Sequence, residues 1–370
     1  MNLSYWEYKS WFSNVDFTVI GSGIVGLNCA LTLRKNYPKA KILVLEKGIL
    51  PQGASTKNAG FACFGSISEI LSDFKNHTKE ETIQLVRKRF EGITLLRENL
   101  GDANIDFQQY GGHELFLQKD EKLFSHCLDE LDRVNSVLKP VFGANPFRTH
   151  GNTFGFKNIQ EKYITHAFEA QIDTGKMMAS LLKLAQKNDI SILNSIEAQD
   201  FEDDGNSVTI RTDVTEFKSK QLFIATNGFA SKLLEGLVKP ARAQVLITKP
   251  IENLHIKGTF HLDEGYYYFR NIDNRVLFGG GRNLDFKGEE TTALGQTNKI
   301  QNHLELLLKE SILPNTNFEI DRRWSGIMGI GNQKKPIIRP ISNSVFCGVR
   351  LGGMGIAIGS SVGKELAELM

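Results

Sequence analysis

A short apolar strand running into Gly21-Ser22-Gly23-Ile24-Val25-Gly26, a second strand closing on Glu46, and a return of apolar strands after residue 190 together predict an α/β fold. Its expected form is a Rossmann-like dinucleotide-binding domain interleaved with a substrate domain built on a mainly antiparallel sheet. At 370 residues the chain exceeds one simple core. Residues 1–90, 150–235 and 320–370 are assigned to the first domain, and 91–149 and 236–319 to the second.

The opening unit is argued residue by residue. Phe17-Thr18-Val19-Ile20 is an apolar strand, Leu27 to Lys35 reads as helix, and Lys41-Ile42-Leu43-Val44-Leu45 leads to Glu46 and Lys47. Gly21 suits the tight strand-to-helix turn, Gly23 lets a pyrophosphate approach the backbone, and Gly26 lets helix and sheet lie close. The helix start offers unpaired N–H groups and a positive dipole end to the phosphates, beginning at Ile24. Glu46 follows Gly26 by twenty residues, the spacing at which a carboxylate meets ribose hydroxyls.

A glycine-rich polar loop spans 48–66, including Gly53-Ala54-Ser55-Thr56-Lys57-Asn58-Ala59-Gly60-Phe61, and its small residues let something flat approach the backbone. Helix is expected from Lys79 to Asn99, strands around Gly111-Gly112 between Phe107 and Gln118, and one amphipathic helix from Glu121 to Leu138. A helix over Met177 to Ala185 precedes strands at Ile190 to Leu193, Ser207 to Thr212 and Gln221 to Ala225. Val245 to Thr248, Tyr266 to Phe269 and Arg275 to Gly279 read as antiparallel strands, and Gln296 to Lys309 as helix. Strand Ser344 to Gly348, a loop over Arg350 to Gly355 and helix Ile356 to Leu369 close the chain. Four glycines before that last helix make a second anion-binding site, suited to the N1–C2=O edge of a flavin.

Composition narrows the classes. The chain is 41% hydrophobic and 23% charged with formal charge +2 and no basic run, so neither nucleic acid nor an anionic membrane is an expected partner. No apolar stretch has the length to cross a bilayer and no signal-peptide layout is present, which points to a cytoplasmic protein. The four cysteines are scattered without CxxC, so buried thiols are expected, and the histidine spacing supports no metal.

These segments, in this order, resemble the FAD-dependent amino acid and amine oxidase family, which includes D-amino acid oxidase, glycine oxidase, sarcosine oxidase and the γ-glutamylputrescine oxidases. Gly53-Ala54-Ser55 with Asn58-Ala59-Gly60 is similar to the family's GASxRNxG, Lys57 standing for its arginine. Supporting matches are Ala225-Thr226-Asn227-Gly228, Pro240-Ala241-Arg242-Ala243-Gln244, Phe278-Gly279-Gly280-Gly281 and Trp324-Ser325-Gly326. The resemblance implies FAD with its adenosine at Glu46, Lys47 and Ile196 and its pyrophosphate at Gly23 and Ile24, with Gly21, Gly26 and Asn58 also in the cofactor set. Thr226 belongs to the same cofactor set. The ring would lie between Ala54, Ser55, Ala59, Gly60 and Phe61 on one side and Gly352, Gly353, Met354, Gly355 and Ile356 on the other. It further implies oxidation of the C–N bond of an amine or N-substituted amino acid by hydride transfer to flavin N5, the imine then being hydrolysed. Oxygen or an electron carrier would reoxidise the flavin.

The chain departs from the family where an arginine holds the substrate carboxylate. Those positions fall near Met328 and Leu351, with Arg350 adjacent to the second, and methionine cannot replace a guanidinium fork. Tyr266, Tyr267, Tyr268, Arg270, Arg242 and Arg282 are the remaining pocket positions, strand alternation sending Tyr267 to one face and Tyr266 and Tyr268 to the other. No residue is assigned as catalytic. Cys63 raises a covalent flavin link. Alternative functions are a dehydrogenase of hydroxy acids or polyol phosphates, and a flavin-binding subunit with an inactive pocket.

Overall fold

The computed structural model describes residues 3–370 and contains two eight-stranded sheets joined by helices. In the first, the order is Ile337–Pro340, Val345–Val349, Glu216–Ile224, Val15–Ile20, Ile42–Glu46 and Ser191–Asn194, with Val208–Thr212 and Ala198–Asp203 added antiparallel to Glu216–Ile224. The five strands from Val345–Val349 to Ser191–Asn194 run parallel. Three of them, Val15–Ile20, Ile42–Glu46 and Val345–Val349, are buried almost throughout, as expected of parallel strands covered on both faces.

Helices Ile24–Asn36 and Gly355–Ala367 pack closely on each other and on this sheet. Gly26 makes the approach possible: a Cβ there would lie 1.9 Å from the Gly21 carbonyl oxygen. Helix Lys79–Leu100 crosses Gly355–Ala367 in the same way at Gly92, where a Cβ would fall 2.1 Å from the Ala357 oxygen.

The second sheet runs Ile320–Ile330, Lys239–Thr248, Arg275–Gly280, Tyr267–Ile272, Thr259–Leu262, Gly112–Glu114, Lys162–His166 and Phe147–Gly151. Only the pairing of Thr259–Leu262 with Gly112–Glu114 is parallel. Asp273 and Asn274, both with positive φ, form the two-residue turn between Tyr267–Ile272 and Arg275–Gly280, a turn whose twist fixes hairpin register. One face of this sheet carries Phe260, Phe269, Phe278 and Tyr267 against helix Asn298–Leu307. The opposite face carries, in register, Glu114, His261, Tyr268, Gly279, Val245 and Trp324.

Several local expectations change. The helix expected over 121–138 is two, Glu121–Asp129 and Leu131–Phe142, because the turn tightens at Glu130, whose N–H reaches both the His126 and Leu128 carbonyls. Between Phe107 and Gln118 the named strand is only Gly112–Glu114. Helix Asn298–Leu307 widens into a π turn over Leu308–Ile312, which keeps Leu308 and Ile312 buried. All four cysteines are buried and unpaired. Among the described residues, no helix is long and apolar enough to cross a membrane.

Candidate active site

The first strand delivers the chain to Gly21, whose φ of +103° permits the turn, and Gly23 then stands immediately before helix Ile24–Asn36. The Ile24 N–H donates to Ser55 Oγ at 3.0 Å, which ties the polar loop to the helix start. Glu46, 7% exposed, accepts from the Ser22 N–H and Oγ at 3.1 and 2.7 Å and from the Gly48 N–H at 2.9 Å. Its carboxylate therefore holds the glycine turn while remaining in the cavity wall. Lys47 pairs with Glu197 at 2.8 Å, which raises its pKa, and the Ile196 N–H donates to the Glu46 carbonyl at 3.0 Å.

The polar loop is knitted by Asn58. Its Nδ2 donates to the Ala54 and Ser55 carbonyls at 3.0 Å each, and its Oδ1 accepts from the Gly60 N–H at 2.8 Å. Opposite, the closing loop hangs on Asn227, whose Oδ1 accepts the N–H groups of Arg350 and Leu351 at 3.1 and 3.2 Å. A Cβ added at Gly352, Gly353 or Gly355 would meet nothing within 4 Å, so the backbone before the last helix faces open space.

A single cavity of about 710 Å³, within the range of cofactor sites, joins these parts. Its wall includes Gly21, Gly23, Ile24, Glu46, Lys47, Ala54, Ser55, Asn58, Ala59, Gly60, Phe61, Ile196, Thr226, Gly352, Gly353, Met354, Gly355 and Ile356. Gly26 is not in the wall and acts in packing alone. Beyond Phe61 the cavity opens onto the second sheet, where Tyr268 lies flat over Gly279: a Cβ at Gly279 would come within 2.8 Å of the Tyr268 Oη. Burial pushes the Tyr268 phenol up to about 12, so it stays protonated. Met328 and Leu351 both line the cavity, and neither side chain carries charge.

Four of the pocket positions expected from sequence lie elsewhere. Tyr267 points to the other sheet face, against Phe278 and His303, as strand alternation requires. Arg242 forms a bidentate pair with fully buried Glu289 at 2.8 and 2.7 Å. Arg350 donates its guanidinium to the Lys335 carbonyl. Arg270 is buried behind Gly60, and burial lowers its pKa to about 10. Arg282 does line the cavity. Cys63 is in the wall beside Met354, and burial pushes its thiol well up, which disfavours the thiolate.

Sequence reasoning missed His261, Glu69 and Arg89, all in the wall. A histidine inside the apolar run Thr259-Phe260-His261-Leu262 was the one available signal. Arg89 is 3% exposed and donates to the Phe64 carbonyl at 2.5 Å, while its Nε has no partner among the described residues.

The architecture is shared with known enzymes at low identity. Glycine oxidase from Geobacillus kaustophilus superposes with TM-score 0.76 at 17% identity, covering 96% of this chain and 94% of that one. L-proline dehydrogenase from P. horikoshii gives 0.75 at 18%, covering 96% and 93%. The probable oxidoreductase OrdL of Haemophilus influenzae is 20% identical over 96% of this chain and 82% of its own length. Residues 16–369, nearly the whole chain, match the DAO family, FAD dependent oxidoreductase, and the protein belongs to that family of FAD-dependent enzymes.

Proposed function

We propose that the protein binds FAD and oxidises the C–N bond of an amine or N-substituted amino acid, hydride passing to flavin N5 and water hydrolysing the imine. The observation that carries this reading is the continuity of one cavity from the glycine turn and Glu46, past the Asn58 loop and the open backbone of Gly352–Gly355, to the floor at Tyr268 and His261. The cradle suits the group: the helix beginning at Ile24 turns its positive end and the Ser55 hydroxyl held there toward the place of a phosphate, and the glycines of the closing loop leave room for a flat ring edge. Gly23, Ile24, Glu46 and Ser55 would hold the dinucleotide, and Gly60, Phe61 and Met354 would border the ring.

When bound, FAD supplies the hydride acceptor. The protein's part is to orient the substrate carbon and keep the nitrogen unprotonated at the moment of transfer. The apolar Met328 and Leu351 favour substrates other than simple α-amino acids. In this reading the parallel sheet serves the cofactor and the antiparallel sheet the substrate.

The test is anaerobic bleaching of the flavin band with a panel of amines, N-methyl amino acids, D-amino acids and hydroxy acids. Bleaching by an amine class supports the reading. Bleaching by hydroxy acids alone replaces it with the C–OH reading, an intact band with every compound favours the inactive subunit, and failure to retain added FAD ends the cofactor assignment.

A further inference from the structure

We propose that His261 is the proton acceptor for the substrate amine and that Glu169 positions it; this rests on the C–N reading above. His261 stands in the middle of the sheet floor, between Glu114 and Tyr268 in register, with its ring edge-on to Phe61 at 5.2 Å. It is 8% exposed and lines the cavity. Of its two ring nitrogens only Nε2 is sealed from solvent without a partner, so Nδ1 is the one that opens on the cavity. On the far side, Nε2 lies 3.8 Å from Glu169 Oε2, a small adjustment short of a hydrogen bond.

Glu169 is 1% exposed and, among the described residues, pairs with no lysine or arginine. Its Oε1 accepts from the Phe64 and Gly65 N–H groups at 2.7 and 3.1 Å, which leaves Oε2 to His261. Gly112 makes room for it: a Cβ there would fall 1.8 Å from Oε2. Burial raises Glu169 to about 7, with Glu69 adding to the rise and the two N–H groups and Arg89 opposing it. Burial lowers His261, opposed by Glu69. Glu69 from helix Ile67–Asn76, Arg89 from helix Lys79–Leu100 and His113 from Gly112–Glu114 are the charged or titratable groups facing the pair, while Glu114 is engaged with Ser68. The shifts cross, Glu169 rising to about 7 while His261 falls below its ordinary value, so the carboxylate is ionised only above about pH 7, and there its charge behind Nε2 stabilises a proton taken by the imidazole.

An amine arrives largely as ammonium, and its carbon cannot release hydride while the nitrogen lone pair is held in an N–H bond. With the tautomer that places hydrogen on Nε2, donated to Glu169, an ammonium N–H bond breaks and its proton moves to Nδ1. With the nitrogen neutral, its lone pair is free to form C=N as the C–H bond breaks, and bound FAD would take the hydride with both electrons. The imidazolium later returns its proton to water.

The test is anaerobic single-turnover bleaching by saturating concentrations of the panel amine that reacts fastest, from about pH 5.5 to 9. In the wild type the rate should fall on the acid side near neutrality. Glu169→Gln, isosteric and uncharged, should move that limb down by about one pH unit and slow the plateau about tenfold. His261→Asn should lose about 100-fold, and His261→Gly should recover with added imidazole in proportion to its free base. Glu169→Gln decides the matter where a His261 variant fails to retain flavin. Superimposable profiles for wild type and Glu169→Gln, with flavin content equal, overturn the proposal alone. A wild type that no amine bleaches overturns the C–N reading and this inference with it.

Discussion

The two ends of the cavity are built by different means. At the glycine-turn end the contacts stay within the first 55 residues, joining partners 24 and 31 positions apart: Glu46 holds Ser22, and Ser55 takes the Ile24 N–H. At the floor the row Glu114, His261, Tyr268, Gly279, Val245 and Trp324 comes from six strands spread over more than half the chain. Turn chemistry determines the first and sheet register the second, so under the proposed function a site for a common cofactor can persist while the wall facing the substrate is remade one strand at a time.

The largest expected effect is at the local end. Gly26→Val places a side chain 1.9 Å from a backbone oxygen that cannot yield, since Gly21 is itself fixed by the turn. The loss is expected to be about 3 kcal/mol or more, with no flavin band retained on purification. A stable, yellow Gly26→Val protein would break the claim that this end depends on close helix packing.

Next in size is Arg242→Ala. Removing it strands the fully buried Glu289 carboxylate, at an expected cost of about 3 kcal/mol in urea unfolding. FAD affinity and the substrate profile should not change, because the pair sits outside the cavity wall. A specific loss of substrate binding would return Arg242 to the site.

Arg242 also shows what could be read without coordinates. Gly21, Gly23, Glu46, Ser55 and Gly352 were legible because each serves a turn or helix end whose chemistry is local. Tyr268 was separable from Tyr267 by alternation only up to the choice of face. Arg242 and Arg350 looked like pocket residues because charge in a sequence carries no partner, and theirs, Glu289 and the Lys335 carbonyl, are supplied by other segments. His261 and Glu169 are 92 residues apart and meet only through the pairing of Thr259–Leu262 with Gly112–Glu114 and of Gly112–Glu114 with Lys162–His166. No periodicity within one strand reveals such a pair.

Gly279→Val sharpens the contrast at the floor. The added Cβ would fall 2.6 Å from Tyr268 Cε2, and the ring, unlike a backbone oxygen, can swing away into the cavity. Stability and FAD content should hold while kcat/KM for the panel amine drops about tenfold. An equal loss of FAD would mean that the two ends are not separable.

The smallest effect is the pH dependence of stability at the floor. Burial holds Glu114 and Glu169 protonated up to about 7, well above the ordinary 4.5. The folded state therefore keeps protons that the unfolded chain has released. The stability this gives is complete below about pH 4.5 and is lost as pH rises through about 7. His113 and His166, pushed down to about 3 by burial, act in the opposite sense: their share is complete above about 6.5 and is lost toward acid. The wild-type curve sums these opposed slopes, so the informative quantity is a difference. Glu114→Gln keeps the side-chain volume and cannot ionise. Its melting temperature relative to wild type should rise by a few degrees between pH 5 and about 7.5, the histidine contribution cancelling. A difference that stays constant across that range would mean that Glu114 ionises normally in the folded protein, and the floor would then be wetter than its burial implies.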